Sequence, residues 1–103
     1  MKILGYNYML VYSPTKDSGG MSNSGQMDPT KQIIVISPEQ HQQSQESTVI
    51  HEILEALKYH CQIDLDHKDL SVLEAALYQV LKDIGMDMSL LLKELKTTKE
   101  SKP

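Results

Sequence analysis

His51, Glu52 and Glu55 set an imidazole directly before one carboxylate, with a second carboxylate four residues on. On a helix, positions four apart share a face about one turn from each other, so His51 and Glu55 can converge on one divalent cation while Glu52 points at its edge. A third ligand has to come from elsewhere in the chain. If the next helix returns antiparallel to the first, counting back from the turn sets Glu55 opposite Glu74, and His51 opposite the turn from Glu74 to Tyr78. Glu74 also falls among Leu70, Leu73 and Leu77, where an unpaired carboxylate is costly. A metal ion, a proton shared with another carboxyl or a histidine partner would each compensate it. The expected cluster is therefore His51, Glu55 and Glu74, although the same spacing also arises in solvated ion pairs that hold no ion. His67 is in phase with Glu74 but about 10 Å from it along the axis, which favours a helix-start or outer role over direct ligation. His60 is about half a turn out of phase with His51. Both His60 and His41 are expected to be solvated.

Two helices must position these side chains. Residues 49–62 carry an apolar stripe of Ile50, Ile53, Leu54, Leu57 and Cys61, with His51 and Glu55 on its border. Ser37, Pro38 and Gln40 form a helix start, with Ser47 or Thr48 as a second possible start. Beyond a short connection at 63–66, Asp66 and Asp69 can cap a second helix. That helix carries Leu70, Leu73, Leu77, Val80, Leu81 and Ile84 and stops at Gly85, giving a tight helical hairpin.

Residues 2–13 alternate as a strand does, and the β-branched run at 32–37 is a second strand, expected to pair antiparallel with the first. Residues 15–31, rich in Gly, Ser, Asn, Asp and Pro, form a long connection without apolar periodicity. Near the end, Ser89 can cap a short third helix whose Leu90, Leu91, Leu92 and Leu95 dock on the domain. The expected architecture is α+β in one domain, residues 1–96: an N-terminal antiparallel β-hairpin, an antiparallel helical hairpin and a short C-terminal helix. Residues 97–103 form a polar tail expected to fray.

A chain of 103 residues makes one small domain with little core to spare. With no Phe or Trp, that core is built from Leu, Ile, Val, Met and a few Tyr. A net charge of −4, a pI near 5.4 and scattered lysines leave no basic stripe to track phosphates, so no nucleic-acid partner is expected. The N-terminal apolar run, broken by Gly5 and Asn7, is too short and polar for a signal peptide or membrane span, so the expected location is the cytoplasm, with no membrane partner. The single Cys61 has no internal disulfide partner and is expected as a buried thiol on the apolar side of its helix.

The order of strand, Gly-containing loop, IIVIS strand and then STVIHEILEAL resembles the small zincin-like metallopeptidases, particularly the minimal ImmA/IrrE-type proteins and related short phage and prophage proteins. The similarity covers about residues 3–85. Its most specific part, HEILEALKYHCQIDLDHKDLSVLEAALYQVL, looks like a phage-associated subgroup with a variant HExxE motif in place of HExxH. Carried over by position, the resemblance implies a minimal zincin-like domain with His51 as first ligand, Glu55 in the place of the second histidine and Glu74 as third ligand. Glu52 is then the general base that activates a water held at zinc, and Tyr78 a candidate for holding the oxyanion. The implied function is a metal-dependent peptidase-like hydrolase of phage or prophage origin, acting on a peptide or protein in the host cytoplasm. One histidine and two carboxylates make a more negative site and a weaker Lewis acid than the usual set, and shift preference from zinc toward Mn2+. A zincin-like scaffold that has lost catalysis and binds a host protein is the alternative the same residues allow.

Overall fold

The computed structural model describes residues 1–13 and 25–97. It is a mixed α+β domain of two short sheets and two helices. The strands are β1 (Lys2–Ile3), β2 (Tyr6–Asn7), β3 (Met9–Tyr12), β4 (Gly25–Asp28), β5 (Ile33–Ile36) and β6 (Lys96–Thr97), and the helices are α1 (Gln42–Cys61) and α2 (His67–Asp83). A 3-10 helix, Met88–Leu92, precedes β6. None of these helices is long and apolar enough to cross a membrane.

The alternating segment at the start is interrupted. Leu4 and Gly5 both take positive φ (53° and 85°), as the two central residues of a tight two-residue turn require, and fold β1 back on β2. The remainder, β3, enters the main sheet, whose order is β4-β5-β3-β6. There β3 and β5 run parallel, with Leu10 beside Ile34 and Tyr12 beside Ile36, and not antiparallel as the sequence suggests. The cause is an extra strand. Residues 25–28, expected within the long connection, form β4, which pairs antiparallel with β5. One added strand between β3 and β5 reverses the direction in which β5 runs. Residues 15–24 of the expected connection lie outside the described residues.

Leu10, Ile34 and Ile36 are fully buried, and α1 packs over them with Val49 and Ala56. Burying such side chains contributes about 1.5–3 kcal/mol each. The helix starts later than Ser37 suggests. Ser37 accepts from the Glu39 N–H and Gln40 donates its amide to the Ser37 carbonyl, a local turn that holds residues 38–40 out of the helix. At the other end Gln62, in the left-handed region, returns its N–H to Lys58 and Tyr59. Cys61 in this last turn is exposed, as are residues 62–64 after it, contrary to the buried position its stripe suggests.

Asp66 caps α2 by accepting from the Asp69 N–H at 2.8 Å. Contacts between the helices fix an antiparallel hairpin: Glu46 meets Tyr78, and Ser47 and His51 meet Glu74. Leu91, Leu92 and Leu95 dock on the core as expected, with Asp87 in place of Ser89 as the cap of the 3-10 turn. Thr97 pairs with Tyr12 in β6, so the sheet reaches one residue into the expected tail. Residues 98–103 lie outside the described residues.

Candidate metal centre

His51 and Glu55 sit one turn apart on α1, with His51 Nε2 and Glu55 Oε2 3.4 Å apart. Across from them, His67 opens α2, its ring 5.3 Å from that of His51. One ligand atom from each of His51, Glu55 and His67 lies within 4.8 Å of the others. Nitrogen and oxygen ligands of a tetrahedral zinc site stand about 2.0–2.2 Å from the ion, so these atoms need only a small contraction to share one.

Glu74 takes a different position from the one its spacing suggests. Its Oε1 lies 2.9 Å from His51 Nδ1, and its Oε2 accepts from the Ser47 hydroxyl. The hairpin register is shifted by about one turn from the expected one, so Glu74 meets His51 and Ser47 where Glu55 was expected. The five residues 62–66 between the helices, too long for a tight turn, allow that shift. They also bring His67, expected in a helix-start or outer role, to Glu55 and His51.

With Glu74 as acceptor, a neutral His51 would carry its proton on Nδ1 and turn the Nε2 lone pair to Glu55. Nε2 and the Glu55 carboxylate are then two acceptors at 3.4 Å. A proton or a cation between them removes the repulsion. A carboxylate bonded to the far nitrogen of a ligating histidine is the usual outer support of a metal site, fixing both tautomer and ring orientation.

Glu52 lies behind this cluster on the sheet-facing side of α1 and is 6% exposed. Burial pushes its carboxyl up to about 7, against the pull of His51, and the charges of Glu55 and Glu74 add to the rise. Gly25 makes room for it. A Cβ there would sit 2.7 Å from Thr48 Cγ2, 2.8 Å from the Val35 carbonyl and 3.4 Å from Glu52 Oε2. Only glycine lets β4 come this close to α1 at the level of Glu52.

A cleft of about 750 Å3 runs between β4 and α1, with Met27, Pro29 and Ile33 on one wall and His51, Glu52, Glu55 and His67 on the other. A recess of about 260 Å3 continues from it past Gly25 and Thr48 to Ser71 and Glu74. All four residues of the His51, Glu52, Glu55 and His67 group therefore face one concave space.

Tyr78 does not face this space. Its hydroxyl donates to Glu46 Oε1 at 2.7 Å, and the buried Glu46 also accepts from Gln42 at 2.8 Å. Burial and the Glu46 carboxylate push Tyr78 up to about 12, so it ties α2 to α1 and offers nothing to an oxyanion at the cluster. His60, expected to be solvated, stacks on Tyr6 with ring centroids 4.0 Å apart and holds the Tyr8 hydroxyl at 2.6 Å through Nε2. Its phase on α1 turns it toward β2 and away from His51. His41 is exposed at the N-cap of α1 and makes no side-chain capping bond.

Sequence reasoning missed Gly25 and Ser47. Their signals were slight: a glycine in a stretch that resembled a loop, and a serine one turn before His51. The chain matches no family model, no curated protein and no solved structure.

Proposed function

We propose that this chain is a metal-dependent hydrolase of peptide-like substrates, with His51, Glu55 and His67 as the zinc ligands and Glu52 as the proton acceptor. The observation that carries the reading is the convergence of those three ligand groups within 4.8 Å, beside a buried carboxyl at the back of a cleft. Two imidazoles and one carboxylate are one of the donor sets found in catalytic zinc sites. They suit zinc better than the set of one histidine and two carboxylates that would favour manganese. The resemblance of HEILE and its surroundings to zincin-like metallopeptidases supports a metal-dependent hydrolase and the roles of His51, Glu52 and Glu55, while implying Glu74 where the proximity of ligand atoms favours His67.

Bound there, zinc would supply Lewis-acid polarisation of a carbonyl and acidify a water. The remaining steps belong to the chain's own residues. Glu52, with its carboxyl held near 7, accepts a proton from the attacking water at neutral pH and returns it to the leaving amine. Ser47 and Glu74 keep His51 in the Nδ1–H tautomer with Nε2 free. Because β4 is an edge strand of the main sheet among the described residues and lines the cleft, its outward main-chain groups can pair with an extended peptide.

Elemental analysis of freshly purified protein, beside a His51→Ala variant, tests the first half of the proposal. One metal ion per chain, absent from the variant, is expected; metal-free wild-type protein would sink the reading. Glu52→Gln then keeps the metal and loses hydrolysis of a mixed peptide pool. Hydrolysis at the wild-type rate would remove Glu52 from its role.

A second reading, a non-catalytic scaffold that binds another protein, is favoured by one observation: α2 carries several half-exposed apolar side chains. Under it, partner binding survives Glu52→Gln and no peptide is cleaved.

A further inference from the structure

Leu70, Leu73, Leu77 and Val80 along α2, and Ile84 at its C-cap, alternate three and four residues apart, the spacing of a seam that pairs with another helix. Within the domain only Leu70 is buried. Leu73 and Leu77 are each 40% exposed, Val80 51% and Ile84 73%, while Ser71, Glu74, Tyr78 and Leu81 are drawn in toward α1. The helix therefore turns a mixed side to its own domain, Leu70 and Leu81 among Ser71, Glu74 and Tyr78, and leaves the apolar stripe beyond Leu70 largely outward, where folding of this domain alone gains little from it.

One flank of the stripe is closed by α1. The open flank carries Asp69, Ala76 and Asp83, seven residues apart and all exposed, with one oxygen of Asp83 accepting from the Gln79 amide and the other carboxylate oxygen left to a partner. A second copy of the chain fits this flank badly. Antiparallel pairing about Ala76 sets Asp69 of each helix against Asp83 of the other. Parallel pairing needs the opposite flank, with Glu74 and Leu81, which α1 already covers. The net charge of −4 adds to the repulsion between copies.

We infer that the outer face of α2 is a docking surface for an amphipathic helix of another protein, whose apolar seam covers Leu73, Leu77, Val80 and Ile84 and whose lysine- or arginine-bearing flank meets Asp69 and Asp83. Apolar burial supplies the affinity and the two aspartates set the partner's charge and orientation. The surface stands apart from the cleft and does not depend on whether the cleft holds a metal.

The test uses the whole chain and two labelled synthetic helical peptides of three heptads, with identical leucine and isoleucine seams and either lysine or glutamate at every flanking position. Fluorescence anisotropy at low salt is expected to show tighter binding of the lysine peptide, by about fivefold to tenfold, with the preference shrinking at high salt. Asp69→Lys combined with Asp83→Lys reverses the preference, and Val80→Asp, at an exposed position, abolishes binding of both peptides while circular dichroism stays unchanged. Equal binding of the two peptides, or binding that survives Val80→Asp, overturns the inference. So does sedimentation showing a wild-type dimer that Val80→Asp dissolves, since a second copy would then cover the stripe.

Discussion

Replacing Glu52 with glutamine should stabilise the metal-free protein, and by an amount that depends on pH. The Glu52 carboxyl is raised from 4.5 to about 7 chiefly by burial, so the folded chain binds that proton more tightly than the unfolded chain does. The contribution to stability is fully present below 4.5 and is lost as pH rises through about 7, where the fold must hold a buried anion. At about 1.4 kcal/mol per pH unit, the interval corresponds to about 3.5 kcal/mol at most. Glutamine is close in shape and never ionises. Urea unfolding of the two proteins with a chelator present, at pH 5 and pH 8, isolates the effect of Glu52 together with its coupling to His51, Glu55 and Glu74, because the more distant groups titrate alike in both. The stability difference between Glu52→Gln and wild type should grow by about 2–3 kcal/mol in favour of the variant from pH 5 to pH 8, or about 10–20 °C in Tm for a domain of this size. A difference that is the same at both pH values, or a wild type more stable than the variant at pH 8, would refute the burial argument. An opposite response of hydrolysis, lost in the more stable variant, would mark Glu52 as a group held at a cost to the fold for the sake of chemistry.

Other substitutions test the supports of the cluster. Glu74→Ala should weaken zinc binding by about 10–100-fold in a competition titration, because His51 Nδ1 loses the acceptor that orients the ring, and unchanged affinity would remove its positioning role. Gly25→Ala should cost about 1–3 kcal/mol in urea unfolding, since its Cβ would lie 2.7 Å from Thr48 Cγ2 and 2.8 Å from the Val35 carbonyl; a neutral result would show that β4 can withdraw from α1. Tyr78→Phe leaves the buried Glu46 with one bond fewer and should cost about 1–3 kcal/mol while zinc affinity stays as in wild type, whereas a lost affinity would place Tyr78 in the site. Zinc at a hundred times its Kd should raise unfolding stability by about 2.7 kcal/mol, and no rise in Tm would argue against a preformed site.

The parts of this molecule legible in its sequence are those set by local spacing. His51 and Glu55 share a helical face because they are four apart, and no tertiary contact is needed to place them. The Asp66 cap and the docking of Leu91, Leu92 and Leu95 follow from equally local signals. The third member of the cluster was not legible, because it depends on the register between α1 and α2. That register is set by a connection of five residues whose path no periodicity describes. Glu74 was singled out for a sound reason, the cost of an unpaired carboxylate, but a histidine and a serine satisfy it as well as an ion would. Strand direction failed for a similar reason: Gly25 to Asp28 resemble a loop by composition, and one unforeseen strand turns an antiparallel pair into a parallel one. On α2, spacing showed an apolar stripe but not which way it faces. Polar contacts from Glu74 to Ser47 and His51, and from Tyr78 to Glu46, decided that by drawing the other side inward.

The most direct test of the central claim is X-ray absorption at the zinc edge of the zinc-loaded protein, compared with its His67→Ala variant. His51 and His67 as ligands predict the scattering of two imidazoles with oxygen donors completing the shell, falling to one imidazole in the variant. A single imidazole in the wild type, unchanged by His67→Ala, would contradict the account and return Glu74 to the ligand set.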